Sequence, residues 1–190
     1  HRSTSDRAFV RTGLGGEKVI ISGGAFVLPV IHEVTPVYFS LSKLEVVAEH
    51  AEALITRDRA RMDTRAEFFL RVAQDPDSVA AAATTLGNVI GEPEKLSAFF
   101  EGEFLGAMRT VAAQMSMEEI HDDRASFIEK VRNLAGEAIA RNGLELRSVA
   151  IRRLDQTSLE HFNPANRFDA EGLTTLIGVV EERRKLRNEI

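Results

Sequence analysis

The 190-residue chain contains no cysteine, which excludes a disulfide framework, thiolate metal sites and cysteine nucleophiles together. A long apolar run is missing too. The longest apolar-rich stretch, AFVLPVI at 25–31, is about the length of a strand and carries Pro29; crossing a bilayer takes roughly 18 consecutive apolar residues. Nor is there an excess of cations. The 24 Lys and Arg residues stand against 29 Asp and Glu, a formal net charge of −5, which argues against tight nucleic-acid binding.

The motifs of common enzymes are also absent. Gly13-Leu14-Gly15-Gly16-Glu17-Lys18 brings glycines together, but a Walker loop needs wider glycine spacing followed by Lys-Ser/Thr, and the dinucleotide fingerprint needs a third Gly where Lys18 stands. Both also need a helix next, whereas a strand pattern follows, so the segment reads as a hairpin turn. Ser22-Gly23-Gly24 reads as a second turn. None of the five histidines, His1, His32, His50, His121 and His161, has a partner at metal-ligand spacing. His121-Asp122-Asp123 offers a base beside carboxylates, but at the junction of two helical segments acidic residues fit a helix start favoured by the macrodipole. No G-x-S-x-G elbow appears. With no acid, base and oxyanion roles to assign, the residues read as a binding or assembly module, with no cofactor and no metal.

The chain nevertheless has the material for a folded core, since 44% of its residues are apolar. Gly and Pro punctuation with β-branched residues predicts strands over 8–11, 18–21, 25–32, 37–47 and 54–57, with Pro29 and Pro36 at edges, strand starts or bulges. The clearest strand is 60–72. Its even positions run Ala60, Met62, Thr64, Ala66, Phe68, Leu70, Val72, and its odd ones carry Arg61, Asp63, Arg65, Glu67 and Arg71, a core face and a wet face. Phe69 breaks the wet face, as a contact surface, a cross-strand aromatic or a bulge.

Asp75-Pro76 then predicts a helix N-cap, with Gly87 closing a short helix. A second helix from Pro93 presents Leu96, Phe99, Phe100, Phe104, Leu105, Met108, Val111, Ala112 and Met115 as an apolar stripe. Ser116 and Glu119 form a capping box that opens a helix carrying Phe127, Val131, Leu134, Ala138 and Ile139 down to the stop at Asn142-Gly143. Leu144 to Leu154 reads as a returning strand with a slip near Ser148. After a loop over 155–168, Asp169 is expected to cap a last helix. Beyond Glu181 that helix is almost wholly charged, the pattern of a helix that projects as a coiled-coil start or solvated stalk. The chain starts at His1 instead of Met and stops inside this helical pattern, so it is expected to be a fragment. The fold class is α+β: an antiparallel-rich N-terminal sheet, helices packed on one face, a returning strand and a projecting C-terminal helix.

Three stretches together resemble the flotillin branch of the SPFH (band 7) family, whose other members include stomatins and prohibitins: RTGLGGEKVIISGGAFVLPVIHEV at 11–34, LITRDRARMDTRAEFFLRV at 54–72 and NGLELRSVAIRRLDQTSLEHFNPANRFDAEGL at 142–173. The resemblance runs from about Ala8 to Ile190 and implies a bacterial flotillin-like inner-membrane protein. It implies a disordered or cloning-derived start over 1–7, an SPFH domain over 8–168, and over 169–190 the start of a helix leading to a coiled coil, with a membrane anchor outside this stretch. The family is described as non-enzymatic scaffolds that oligomerise and organise membrane microdomains. The implied partners are further copies of the chain in a large homo-oligomer, membrane lipids through the missing anchor, and other membrane proteins, without nucleic acid. The implied location is the bacterial inner membrane, with the domain on its cytoplasmic side and this stretch alone soluble.

Three sets of residues follow as candidates. Phe26, Val27, Leu28, Val30 and Ile31 would face lipid or the next subunit, or else form a buried strand. Arg61, Arg65, Phe69 and Arg71 would form the partner surface of a regulatory module docking a membrane protein or protease. Leu173, Leu176, Val180 and Leu186 would begin the coiled coil.

Overall fold

A computed structural model of the chain describes residues 6–163 and 165–188, leaving aside the side chains of Asn88 and Phe168. Of the start read over 1–7, residues 1–5 lie outside the described residues, as do 189–190 of the stretch read as a helix over 169–190. The described elements are β1 (Arg7–Gly13), β2 (Lys18–Ile20), β3 (His32–Tyr38), β4 (Ser42–Ala48), β5 (Leu54–Ile55), β6 (Arg61–Val72), α1 (Pro76–Leu86), α2 (Pro93–Ala112), α3 (Met117–Asp122), α4 (Arg124–Ala140), β7 (Leu144–Gln156) and α5 (Arg167–Asn188). The fold is α+β. It gathers into two compact units: His1–Glu45, Glu67–Phe104 and Arg132–Ala150 form the first, and Val46–Ala66, Leu105–Val131 and Ile151–Ile190 the second. The boundaries fall inside β4, β6, α2, α4 and β7, so each of these contributes to both.

In the first unit β1 is the centre of a three-stranded antiparallel sheet, order β2-β1-β3. Phe9 pairs with Ile20 on one side and with Pro36 on the other. Pro36 cannot donate to a ladder and is tolerated because β3 is an edge. The buried run Ala8, Phe9 and Val10 belongs to a sheet that α1 contacts at all three strands. Phe68 on β6 stacks on Phe104 of α2 with centroids 4.3 Å apart and planes 3° apart.

Asp75 caps α1 by accepting from the Ser78 backbone N–H at 2.9 Å. That bond, with one from the Ser78 side chain, holds the Asp75 carboxyl below its ordinary value of 3.8. A carboxyl with a lowered folded value adds stability above its unfolded value and loses it as the pH falls through the folded one. The group is well exposed, so solvent screens the effect. Asp75→Ala is expected to cost about 1 kcal/mol at neutral pH. The penalty should shrink as urea unfolding is repeated below pH 4.

In the second unit β5 pairs antiparallel with the start of β6 through Leu54 and Met62. Arg57 donates its backbone N–H to the Met115 carbonyl. The capping box forms as the sequence predicts: the Ser116 hydroxyl accepts from the Glu119 N–H and the Glu119 carboxylate from the Ser116 N–H. The Ser116 N–H and then the Arg57 guanidinium hold the Glu119 carboxyl below its ordinary range. Ile120, Phe127 and Val131 are fully buried.

The structure corrects several expectations. Residues 25–31 are not a strand: the chain bends through 21–23, and β3 begins only at His32. The expected strand over 37–47 is two, because the buried positions change phase between Val37 and Phe39 on one side and Leu44, Val46 and Ala48 on the other. β3 joins one sheet and β4 the other. The strand expected over 54–57 is only Leu54–Ile55. On β6 the odd face is not wholly wet: Asp63 and Glu67 are buried, Asp63 accepting from the Thr157 hydroxyl at 2.7 Å and Glu67 pairing with Lys43. The helix from Ser116 breaks at Asp123, which accepts from the Ser126 N–H and starts α4. Phe99 and Leu134, expected inside their stripes, are exposed. Finally, α5 begins at Arg167, so Asp169 lies in its first turn instead of capping it.

Candidate functional site

The most exposed apolar group of the first unit is the loop that joins β2 to β3. Phe26 is 79% and Val30 94% exposed, and Leu28 and Ile31 are exposed as well, while Val27 is half-buried. Apolar side chains left in water at this density mark a contact surface more often than a structural element.

The loop's backbone is nevertheless held. The Arg11 guanidinium donates to the Phe26 carbonyl at 3.0 Å. Pro29 suits the second position of a turn; here the Leu28 carbonyl accepts from the Ile31 and His32 N–H groups at 3.1 and 2.9 Å. The Leu14 N–H donates to the Ile31 carbonyl. His32 fastens both ends: its Nδ1 accepts from the Leu28 N–H at 3.1 Å and its Nε2 lies 2.9 Å from the Leu14 carbonyl. The loop closes so tightly on β1 that a Cβ on Gly13 would lie 2.0 Å from the Ile31 carbonyl oxygen. Only Gly fits there, and its φ of +126° asks for Gly too. The result is an apolar surface on a fixed frame.

The arginines expected to form a wet partner surface are engaged within their own units. In the second unit the Arg61 side chain is only 11% exposed and pairs at 2.6 Å with Asp169, itself 5% exposed; the Arg61 guanidinium also lies over the Phe162 ring. Arg65 pairs with Glu49. In the first unit Arg71 pairs with Glu145, and Phe69 is half-buried. Carboxylates scattered elsewhere in the sequence find these cations, so the set is not an open basic face.

Along α5, Leu173 and Leu176 are half-buried, whereas every residue from Ile177 to Asn188 is exposed. Leu173, Leu176 and Val180 follow a three-and-four spacing. Leu186, six residues beyond Val180, sits about 120° round the helix from that seam. The continuation of the seam falls on Arg183 and Arg187. No described helix is long and apolar enough to cross a membrane, and no cluster of three or more His, Asp or Glu side chains among the described residues could hold a metal ion.

Residues 3–184 match the SPFH domain / Band 7 family. The chain belongs to that family. This SPFH domain is 48% identical, over its whole length, to the "Flotillin family inner membrane protein YqiK" of Escherichia coli, of which it covers 34%. It is 27% identical over 98% of its length to the "Flotillin family inner membrane protein sll1021" of Synechocystis, covering 28% of that protein. To the "Flotillin-like protein FloT" of Bacillus subtilis it is 26% identical over 71% of its length, covering 26%. The SPFH domain thus spans about a third or less of the curated relatives it matches.

Sequence reasoning located the loop's side chains in this SPFH domain but missed the residues that hold them. Arg11, Gly13 and His32 read singly as a strand cation, a turn glycine and an unpartnered histidine. The one available signal was Gly13 standing eighteen residues before Ile31 of Pro29-Val30-Ile31-His32, and it has meaning only once β1 and β3 are paired. The sequence also missed the contact of His50 with His161, whose rings lie 4.2 Å apart in the second unit.

Proposed function

We propose that this SPFH domain is the membrane-facing assembly module of a flotillin-like scaffold. The exposed apolar loop 24–31 touches the lipid surface, and α5 leads toward a coiled coil that gathers copies into a large homo-oligomer organising membrane microdomains at a bacterial inner membrane. The reading is non-enzymatic, with no cofactor. The single observation that carries it is the exposure of Phe26, Leu28, Val30 and Ile31 on a backbone held by its own hydrogen bonds. Family membership and the relatives' designation as inner membrane proteins support it. An ordered apolar loop loses little conformational entropy on docking, so its buried area is converted more fully into affinity.

The test is flotation with phospholipid vesicles. Burying a Phe or Val side chain is worth about 1.5–3 kcal/mol, so Phe26→Glu with Val30→Glu should weaken partition by about 100-fold or more. Both side chains are exposed, so circular dichroism and thermal unfolding should be unchanged. Undiminished flotation of the double variant would reject the loop as the lipid contact. Assembly is tested by the light-scattering mass of the full-length protein: a large defined oligomer supports the scaffold, and a monomer or dimer contradicts it.

A further inference from the structure

The imidazole of His32 is bonded at both nitrogens to backbone groups whose roles are fixed. The Leu28 N–H can only donate, so Nδ1 must carry a lone pair. The Leu14 carbonyl can only accept, so Nε2 must carry the proton. One species of three satisfies both bonds: neutral imidazole with its proton on Nε2. The other neutral tautomer loses both. The imidazolium keeps the bond to Leu14 but sets Nδ1–H against the Leu28 N–H.

We propose that His32 is a proton-operated latch on the apolar loop: neutral, it clips the Leu28 end of the loop to the β1–β2 turn, and protonated, it releases that end. The signal is acidification, which adds the proton that costs Nδ1 its bond to Leu28. The charged and titratable groups on the surrounding elements are Arg7 and Arg11 on β1, Glu17 and Lys18 at the hairpin, Glu33 and Tyr38 on β3 and Asp77 on α1. The ring's two hydrogen bonds are both to backbone, so the latch responds to the proton itself. Release leaves the Arg11 bond to the Phe26 carbonyl, the Leu14 bond to the Ile31 carbonyl and the turn bonds from the Ile31 and His32 N–H groups to the Leu28 carbonyl. The freed part is therefore the Leu28 N–H and the short link through Val27 between the Arg11 anchor and that turn. Acidification loosens a pre-ordered lipid contact, and ordering it again on docking costs affinity.

The consequence for lipid rests on the membrane reading above, whereas the latch itself does not. The experiment keeps the two apart. Nitrogen-15 spectra of the His32 ring in the intact chain are expected to show the Nε2-protonated tautomer near pH 7.5, converting to imidazolium on acidification. Over the same titration the protection factor of the Leu28 amide, corrected for intrinsic exchange, should fall at least tenfold. In His32→Gln, whose amide can accept from Leu28 and donate to Leu14 without titrating, protection should stay constant across the range. If Leu28 protection does not follow the ring's titration, or the ring does not titrate above about pH 5, or the other tautomer is seen, the latch is wrong; the wild-type titration alone decides this even should the variant fold poorly. With uncharged phosphatidylcholine vesicles, partition of the wild type should weaken on acidification and that of His32→Gln should not. A working latch beside vesicle partition that ignores pH would remove the proposed effect on lipid binding, and a working latch with no partition at any pH would sink the membrane reading while leaving the latch in place.

Discussion

Asp169→Ala is expected to destabilise the second unit by about 3 kcal/mol or more, because it strands a largely buried guanidinium. Arg61 and Asp169 form a 2.6 Å ion pair with both side chains nearly out of solvent. The second carboxylate oxygen of Asp169 accepts from the Asn163 N–H at 2.9 Å, so the loop before α5 loses its anchor in the same step. Among the described residues Arg61 then keeps its bond to the Ala51 carbonyl at 3.3 Å and its place over Phe162. For a chain of this size the loss corresponds to a drop in Tm on the order of 10 °C. Asp169→Asn keeps the acceptor for Asn163 and removes the charge, so it should fall between the wild type and the alanine variant. Thermal unfolding followed by circular dichroism measures both, and a loss under about 1 kcal/mol for the alanine variant would show that the pair is screened as surface pairs are.

The second large effect belongs to the first unit. At Gly143, φ is +72° and a Cβ would lie 1.9 Å from the Ser78 carbonyl oxygen and 2.9 Å from the Ala82 nitrogen, both backbone atoms of α1. Gly143→Ala therefore combines a left-handed conformation costing about 1–2 kcal/mol with an overlap that only a backbone shift can relieve, costing about 1–3 kcal/mol. The sum, about 3 kcal/mol, should appear as a lower urea midpoint at unchanged m-value. Gly102 gives the opposite sign. It lies inside α2 with open space where a Cβ would go, so Gly102→Ala should stabilise by about 0.5–1 kcal/mol. If the two substitutions had equal effects, the close approach of Gly143 to α1 would be wrong.

Helices were the most legible part of this fold because their signals are local. The Asp75-Pro76 start, the Ser116-Glu119 box and the Gly143 stop each act within a turn of backbone, and each is found where the sequence places it. The break at Asp123 is equally local: the acidic residues there were read as charges at a helix start between two helical segments, and Asp123 caps the second of them. Strands were less legible because pairing decides them. The run AFVLPVI has strand composition, yet Pro29 turns it, and the bonds that then define it come from Arg11 and Leu14 far along the chain and from His32 reaching back to Leu28. The change of phase between Phe39 and Leu44 was present in the sequence and was enough to divide one expected strand into two. The wet face of β6 failed for a related reason. Alternation correctly marks which residues are apolar, but it cannot show that Thr157, Lys43 and Asp169 arrive from elsewhere to cover Asp63, Glu67 and Arg61.

The same distinction applies to the candidate site. Phe26, Leu28, Val30 and Ile31 were visible as an apolar run, but whether they were core or surface depended on a frame that no local pattern reveals. Exposure on that frame is the basis on which the lipid surface is proposed as the partner of the loop, and the chain offers a direct probe. It has no tryptophan, so Phe26→Trp installs a single indole at the loop's exposed tip. On addition of phospholipid vesicles the account predicts a blue shift of its emission and quenching by lipids brominated on the acyl chains. Emission that stays that of a water-exposed indole, unquenched while the chain floats with the vesicles, would contradict it.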